Sequence, residues 1–178
     1  MKITSTNIPG LVVLTPNIFE DTRGIFVKTF HAGVFQELGL PFTPREEFYS
    51  CSRKDVLRGM HFQLPGAAHD KLVFPVAGSV LDVVLDLRKS SPGFSTYYVK
   101  QLDAVRREML FIPAGCAHGF LSLVDHSLMF YQTSTTHSPA HDAGVRWDSF
   151  GYRWPVANPI VSERDQRFPG LAGFASPF

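Results

Sequence analysis

Proline and glycine recur along this chain at intervals too short for long helices, with thirteen Pro and fourteen Gly in 178 residues. Proline removes a backbone donor and clashes inside a helix, and glycine weakens one. The runs between these breakers are short and rich in Val, Phe, Leu and Tyr, side chains that pack well on a pleated surface. Short strands at regular spacing, separated by turn signals, predict an all-β sandwich or barrel. The strand candidates are 11–16, 24–30, 56–63, 71–76, 79–88, 95–102, 108–115, 118–124 and 127–135. Helix is expected only in 31–40, where Val34, Phe35 and Leu38 share a face and Gly39 is a stop signal, and as a short turn in 161–168.

Ala77 and Gly78 separate two β-branched runs, which predicts a hairpin there. Along the second arm Val80, Asp82, Val84 and Asp86 fall on one face, because side chains alternate along a strand. A solvated face is the simpler account of the two carboxylates; the lining of a polar barrel interior is the other. A chain of this length fits one domain, at ~100–200 residues per domain. From residue 151 onward an irregular tail containing Pro155, Pro159, Pro169 and Pro177 is expected to wrap the barrel.

Such a chain buries roughly 70% of the surface its unfolded form exposes, so its core needs no disulfide. Cys51 and Cys116 therefore read as reduced thiols of a cytoplasmic protein, with no signal-peptide pattern at the N-terminus. Lys and Arg number 17 against 16 Asp and Glu, for a net charge of +1, and they are scattered. Neither a nucleic-acid footprint nor a polybasic membrane patch is present, and no apolar run approaches the roughly 18 residues of a membrane span.

The chemistry-bearing residues concentrate in 56–73. Arg58, His61 and Lys71 combine a fixed cation, a titratable ring and a movable amine. A neutral imidazole is a competent general base near neutral pH. An ammonium or a second imidazole, His118, can stabilise a developing oxyanion. Arg58 can fork onto phosphate or carboxylate, and Tyr131 can supply a phenolic proton from the opposite side. Together these groups describe proton transfer beside a carbonyl through an enolate, a reaction that needs no cofactor. Arg58 and His61 would point to opposite faces of an ideal strand, but Gly59 between them permits a bulge that re-aims one of them. Cys116 lies two residues before His118, and spacing alone assigns it no nucleophilic role.

The stretch 111–120, with its Pro-x-Gly-x-x-His order, resembles the second half of the cupin signature. The first half would supply two histidines and a Glu for a divalent metal, whereas here it reads His61-Phe62-Gln63. A metal-dependent cupin enzyme using His61, Gln63 and His118 is one alternative reading, and a non-catalytic sugar or nucleotide binder is another. Two histidines make a poor cage, so no metal is expected.

The segments 56–63, 71–73, 81–94, 111–123, 130–149 and 154–165 resemble, in order and spacing, the nucleotide-sugar 4-keto-6-deoxyhexose epimerases typified by dTDP-4-dehydrorhamnose 3,5-epimerase. The similarity runs from about residue 11 to residue 171. It implies a cofactor-free, cupin-type jelly-roll barrel with a few short helices, working as a homodimer on a nucleotide sugar. By that resemblance His61 is the general base and Asp165 the carboxylate that orients it. Lys71 and His118 hold the substrate and its enolate oxygen, Arg58 clamps substrate and diphosphate, and Tyr131 is the acid on the opposite face. Arg23 is a nucleotide contact reached across the dimer, and Gln63, Asp142 and Arg164 are further binding positions.

Two positions depart from the family pattern. Glu46 stands where Gln is common and Lys28 where Glu is common; both face the nucleotide in the family. The expected substrate is dTDP-4-dehydro-6-deoxyglucose, inverted at C3 and C5, with a CDP- or GDP-linked sugar or inversion at one carbon only as alternatives.

Overall fold

The computed structural model describes residues 1–178. Strands β1 (Lys2–Ser5), β2 (Val12–Thr15), β3 (Ile18–Asp21) and β4 (Gly24–Val27) precede helix α1 (Ala32–Glu37). Then follow β5 (Glu46–Ser52), β6 (Val56–Gln63), β7 (Lys71–Ala77), β8 (Ser79–Asp86), β9 (Tyr97–Asp103), β10 (Met109–Ile112), β11 (Cys116–Ser122) and β12 (Ser127–Thr133). Two short strands, β13 (Asp142–Gly144) and β14 (Ile160–Val161), lead into helix α2 (Glu163–Gln166). No helix is long and apolar enough to cross a membrane.

One sheet has the order β1-β2-β10-β7-β12-β5; the other runs β13-β6-β11-β8-β9, with β14 added in parallel to β6. Strand alternation divides the apolar residues into three layers. Val13, Val73, Leu110 and Met129 of the first sheet meet Val80, Val84, Leu102 and Phe120 of the second in a buried interior. Leu72, Phe74, Met109 and Phe111 point the other way, where Phe35 of α1 and Phe42 cover them. The outer face of the second sheet, with Leu57, Phe62, Val83 and Leu85, is covered by the tail through Trp154, Phe174 and Phe178. These two packed antiparallel layers are the jelly roll of the cupin fold, all-β apart from its short helices.

The expected hairpin at Ala77-Gly78 does not form. β7 pairs with β10 and β12, while β8 pairs with β11 and β9, so the chain changes sheets at this corner. Gly78 allows the crossing: its φ is +74°, and a Cβ there would come within 2.7 Å of Ser127 Cα. Gly78 does make a tight turn, but a tight turn does not dictate that its two arms pair with each other. The solvated-face reading of Asp82 and Asp86 is likewise overturned, since both are fully buried. Asp86 accepts hydrogen bonds from Arg88 and Ser91, and Asp82 faces His118.

Four strands had no sequence signal strong enough to name them. β1 and β3 are short and exposed, and β13 and β14 follow loops and pair only with the edge of β6. The seven-residue β5 was missed because its acidic and aromatic residues lack apolar alternation. Helix α1 keeps the expected site, with His31 accepting from Val34 N–H as its cap and Gly39, at φ +74°, beyond its end.

Candidate active site

The site begins with a register shift. Opposite β11, His61 pairs with His118 but Arg58 pairs with Phe120, so β6 carries one extra residue. Gly59 absorbs it at φ +146°, and a Cβ there would meet Gly119 Cα at 2.5 Å. The bulge turns Arg58 and His61 onto one face, where both line a cavity of about 400 Å³ between the sheets. Lys71, Tyr131 and Glu46 reach the same cavity from the first sheet, His118 and Gln63 from the second, with Asp142 and Arg164 at the rim.

α2 delivers Asp165 to His61. Ser162 caps the helix by accepting from Asp165 N–H, and the buried carboxylate turns inward. Its Oδ2 accepts from Gly59 N–H at 3.0 Å, and its Oδ1 lies 2.9 Å from His61 Nε2 and 3.1 Å from Arg164 Nε. Burial alone would raise the Asp165 pKa, but these donors hold it at about 2. Burial lowers the His61 pKa below its ordinary value, with Asp165 opposing and Arg164 and Lys71 assisting. Arg164 Nη2 also approaches His61 Nε2, at 2.7 Å. One nitrogen cannot donate to a carboxylate and accept from a guanidinium at once. With Asp165 ionised, Nε2–H donates to Asp165, Nδ1 keeps the lone pair, and Arg164 acts through its charge, disfavouring a protonated ring.

Lys71 is buried, and its Nζ donates to His61 O at 3.2 Å. Burial brings its pKa down to about 8, with Asp142 and Asp82 pulling it back up. It is therefore an ammonium at neutral pH, in a setting that makes its charge effective. His118 Nε2 lies 2.8 Å from Asp82 Oδ2, with both side chains buried. The Tyr131 ring stacks on Phe48 at 4.7 Å and lies 6.2 Å from His118; its hydroxyl is 3.4 Å from Ser50 Oγ. Burial raises the phenol pKa, so the group remains a proton donor.

Arg58 is exposed and spends only its Nε on Ser52 Oγ, leaving the end of the guanidinium open to a ligand. Glu46 Oε2 accepts from His137 N–H at 2.6 Å, and Asp142 Oδ2 pairs with Arg164 Nη1 at 2.8 Å. Gln63 borders the cavity, but its amide braces the loops around Ala67 and Ser138. Arg23 and Lys28 lie outside the cavity of their own chain. Arg23 is exposed on the β3–β4 ribbon and paired with Asp21, and Lys28 is exposed just past β4.

The residues do not fit the metal that the cupin resemblance raises. No three His, Cys, Asp or Glu side chains converge as ligands; His61 and His118 each turn Nε2 to a separate carboxylate. Cys116 is buried with its pKa pushed up to about 12, an inert thiol.

Phe48, Ser50, His69, Thr133 and His137 also border the cavity, and the sequence alone assigns none of them to the site. The alternation of Glu46, Phe48 and Ser50 on one face was the available signal for β5, but it is visible only once that segment is read as a strand.

Comparison with known proteins decides the family. A family model described as dTDP-4-dehydrorhamnose 3,5-epimerase matches residues 5–173. The chain belongs to the dTDP-4-dehydrorhamnose 3,5-epimerase family. A curated 3,5-epimerase of this family from Shigella flexneri is 39% identical over 168 residues, covering 93% of each chain. The crystal structure of the Bacillus anthracis 3,5-epimerase, with TDP and PPi bound, superposes with a TM-score of 0.93 at 35% identity, covering 96% of this chain and 99% of that one. A Legionella pneumophila epimerase structure in complex with dTDP-4-keto-L-rhamnose gives a TM-score of 0.91 at 31% identity, covering 98% of this chain and 94% of that one. For a 3,5-epimerase, the pairing of a buried carboxylate with an imidazole beside a buried ammonium is chemically apt: the reaction requires a base and a stabilised oxyanion.

Proposed function

We propose that this chain inverts C3 and C5 of dTDP-4-dehydro-6-deoxyglucose in deoxysugar biosynthesis, by proton abstraction and return through an enolate. The observation that carries the reading is that His61 of one sheet, paired with Asp165 of α2, and the Tyr131 phenol of the other sheet border one cavity, with the Lys71 ammonium in the same lining. His61 Nδ1 takes the proton from a carbon flanking the C4 ketone. The C–H electron pair forms the C–C double bond, and the carbonyl pair moves onto oxygen. Lys71 stabilises that oxyanion, joined by His118 when its ring, with Nε2–H on Asp82, also carries a proton on Nδ1. Tyr131 then gives its proton to the opposite face as the ketone re-forms, and solvent restores both groups. C3 and C5 both adjoin C4, so one site serves both carbons if the pyranose turns between steps.

Arg58, with its open guanidinium, is assigned to the diphosphate, and Asp142, Arg164 and Gln63 to the rim that orients the sugar nucleotide. The dTDP carrier is favoured by the ligands in the Bacillus and Legionella structures, with Glu46 and Lys28 as the positions where this chain would differ in contacting the base. The working unit is a cytoplasmic homodimer. The β3–β4 ribbon exposes Ile18, Phe19, Ile25 and Phe26, and a two-stranded ribbon needs packing to be stable. A second copy supplies that packing and brings Arg23 to the partner's nucleotide.

Incubation with dTDP-4-dehydro-6-deoxyglucose and NMR analysis of the product test the reading. Inversion at C3 and C5 is expected; inversion at one carbon makes the enzyme a mono-epimerase, and unchanged substrate refutes the reaction. Calorimetry with dTDP, CDP and GDP decides the carrier, tighter CDP or GDP binding rejecting dTDP. Sedimentation decides the dimer, a monomer at micromolar concentration rejecting it.

A further inference from the structure

His69 lies in the loop between β6 and β7, two residues before Lys71, and its ring forms part of the cavity wall. The mechanism above gives it no role. Its Nδ1 lies 3.0 Å from Gln63 Nε2 and 3.2 Å from Thr135 Oγ1. The Gln63 amide cannot be turned over: its Oε1 accepts from Ser138 N–H at 2.6 Å, and its Nε2 donates to Ala67 O at 3.0 Å. An amide NH₂ only donates, and of its remaining acceptors Nδ1 at 3.0 Å is nearer than Thr136 O at 3.4 Å, so Nδ1 takes its second hydrogen, while the Thr135 hydroxyl donates to Ala67 O. The ring proton therefore resides on Nε2.

That Nε2 is buried and has no hydrogen-bond partner in the protein. Buried donors are almost always paired, and an unpaired one needs an explanation. Protonating Nδ1 cannot relieve the problem. Burial, reinforced by Lys71 and His137, holds the ring neutral with a pKa of about 3. His69 thus carries, in the wall of the cavity, one fixed, uncharged N–H that water does not reach and no protein acceptor pairs.

We infer that His69 is a sugar-recognition residue whose Nε2–H donates to an uncharged oxygen of the hexose, a hydroxyl or the resting ketone. The inference rests on the sugar-nucleotide reading of the cavity. A neutral donor suits a sugar oxygen, because it fixes orientation without competing with Lys71 for the developing negative charge. It also discriminates: a hexose lacking that oxygen leaves the N–H unpaired.

Calorimetry with free dTDP and with the non-reacting dTDP-glucose isolates this bond, since the ratio of the two affinities reports the hexose alone. His69→Phe is expected to lower that ratio by roughly 5- to 100-fold, the range for leaving a buried polar partner unpaired, with the affinity for dTDP unchanged. His69→Gln, which retains a donor, is expected to restore part of the loss. An unchanged ratio in His69→Phe, an equal loss of dTDP affinity, or a wild-type protein that gains nothing from the hexose overturns the inference. If His69→Phe does not fold, monodeoxy analogues of dTDP-glucose read the same bond on the wild-type protein. One of them must then lose the same factor, and unaltered binding of all of them overturns the inference. A sugar-dependent ratio that responds to His69 in a protein without epimerase activity refutes the proposed reaction and leaves this inference standing; active enzyme with an unresponsive ratio does the reverse.

Discussion

His61 Nε2 and Asp165 Oδ1 lie 2.9 Å apart, although one belongs to β6 and the other to a four-residue helix in the C-terminal segment. The tail thus contributes a charge to the site as well as covering a sheet. Asp165→Asn is expected to keep the acceptor for Gly59 N–H while offering an amide donor to His61 Nε2. The ring proton then moves to Nδ1 and the base is lost. A fall in kcat of about 10²- to 10⁴-fold is expected in steady-state kinetics, with wild-type secondary structure by circular dichroism; near-normal kcat removes Asp165 from the mechanism.

The pH profile should have two limbs. His61 must be neutral, and its pKa lies below the ordinary 6.5, so the acid limb falls below that value. Lys71 must be charged, and the charge is lost as pH rises through about 8. A bell in kcat/KM is expected. Lys71→Arg should shift the alkaline limb upward, because a guanidinium stays charged; a limb that remains near pH 8 in the variant belongs to another group.

Tyr131→Phe retains a ring to stack on Phe48 and removes only the donor. Epimerisation is expected to fall by about 10²- to 10⁴-fold. Deuterium wash-in from D₂O should persist, since His61 can return a solvent-derived deuteron to the face it deprotonated. Joint loss of exchange and epimerisation would assign Tyr131 an earlier role.

Gly59→Ala places a Cβ against Gly119 and holds an L-residue at φ +146°. A loss of about 2–4 kcal/mol in urea denaturation is expected, together with loss of activity as His61 is re-aimed. Unchanged stability would show that the bulge can relax without cost.

Much of the fold was legible because Pro and Gly punctuate strands whose apolar alternation is strong. β2, β4, β6, β8, β10 and β12 all fall within named segments, as does α1, and β7, β9 and β11 overlap theirs. β5 was not legible: as an edge strand beside the cavity it carries polar and aromatic residues, whose pattern reflects the site instead of a core. The possible bulge at Gly59 was visible in the sequence, since the residue types required Arg58 and His61 on one face. Two features were beyond reach. Which sheet each arm of the Gly78 turn joins depends on distant partners, and the tautomer of His69 depends on Gln63 and Ser138, brought together only by folding. The carboxylates of β8 were misjudged on the simpler account because burial follows from partners, and Asp82 finds its partner in His118 on the neighbouring strand.

The central claim is that one imidazole, His61, removes the proton beside the ketone. The most direct measurement is deuterium incorporation at C3 and C5 of dTDP-4-dehydro-6-deoxyglucose in D₂O, followed by NMR for the wild-type enzyme and for folded His61→Asn. Exchange at both carbons in the wild type, and its reduction to background in the variant, is the expected result. Exchange in His61→Asn at the wild-type rate would contradict the account.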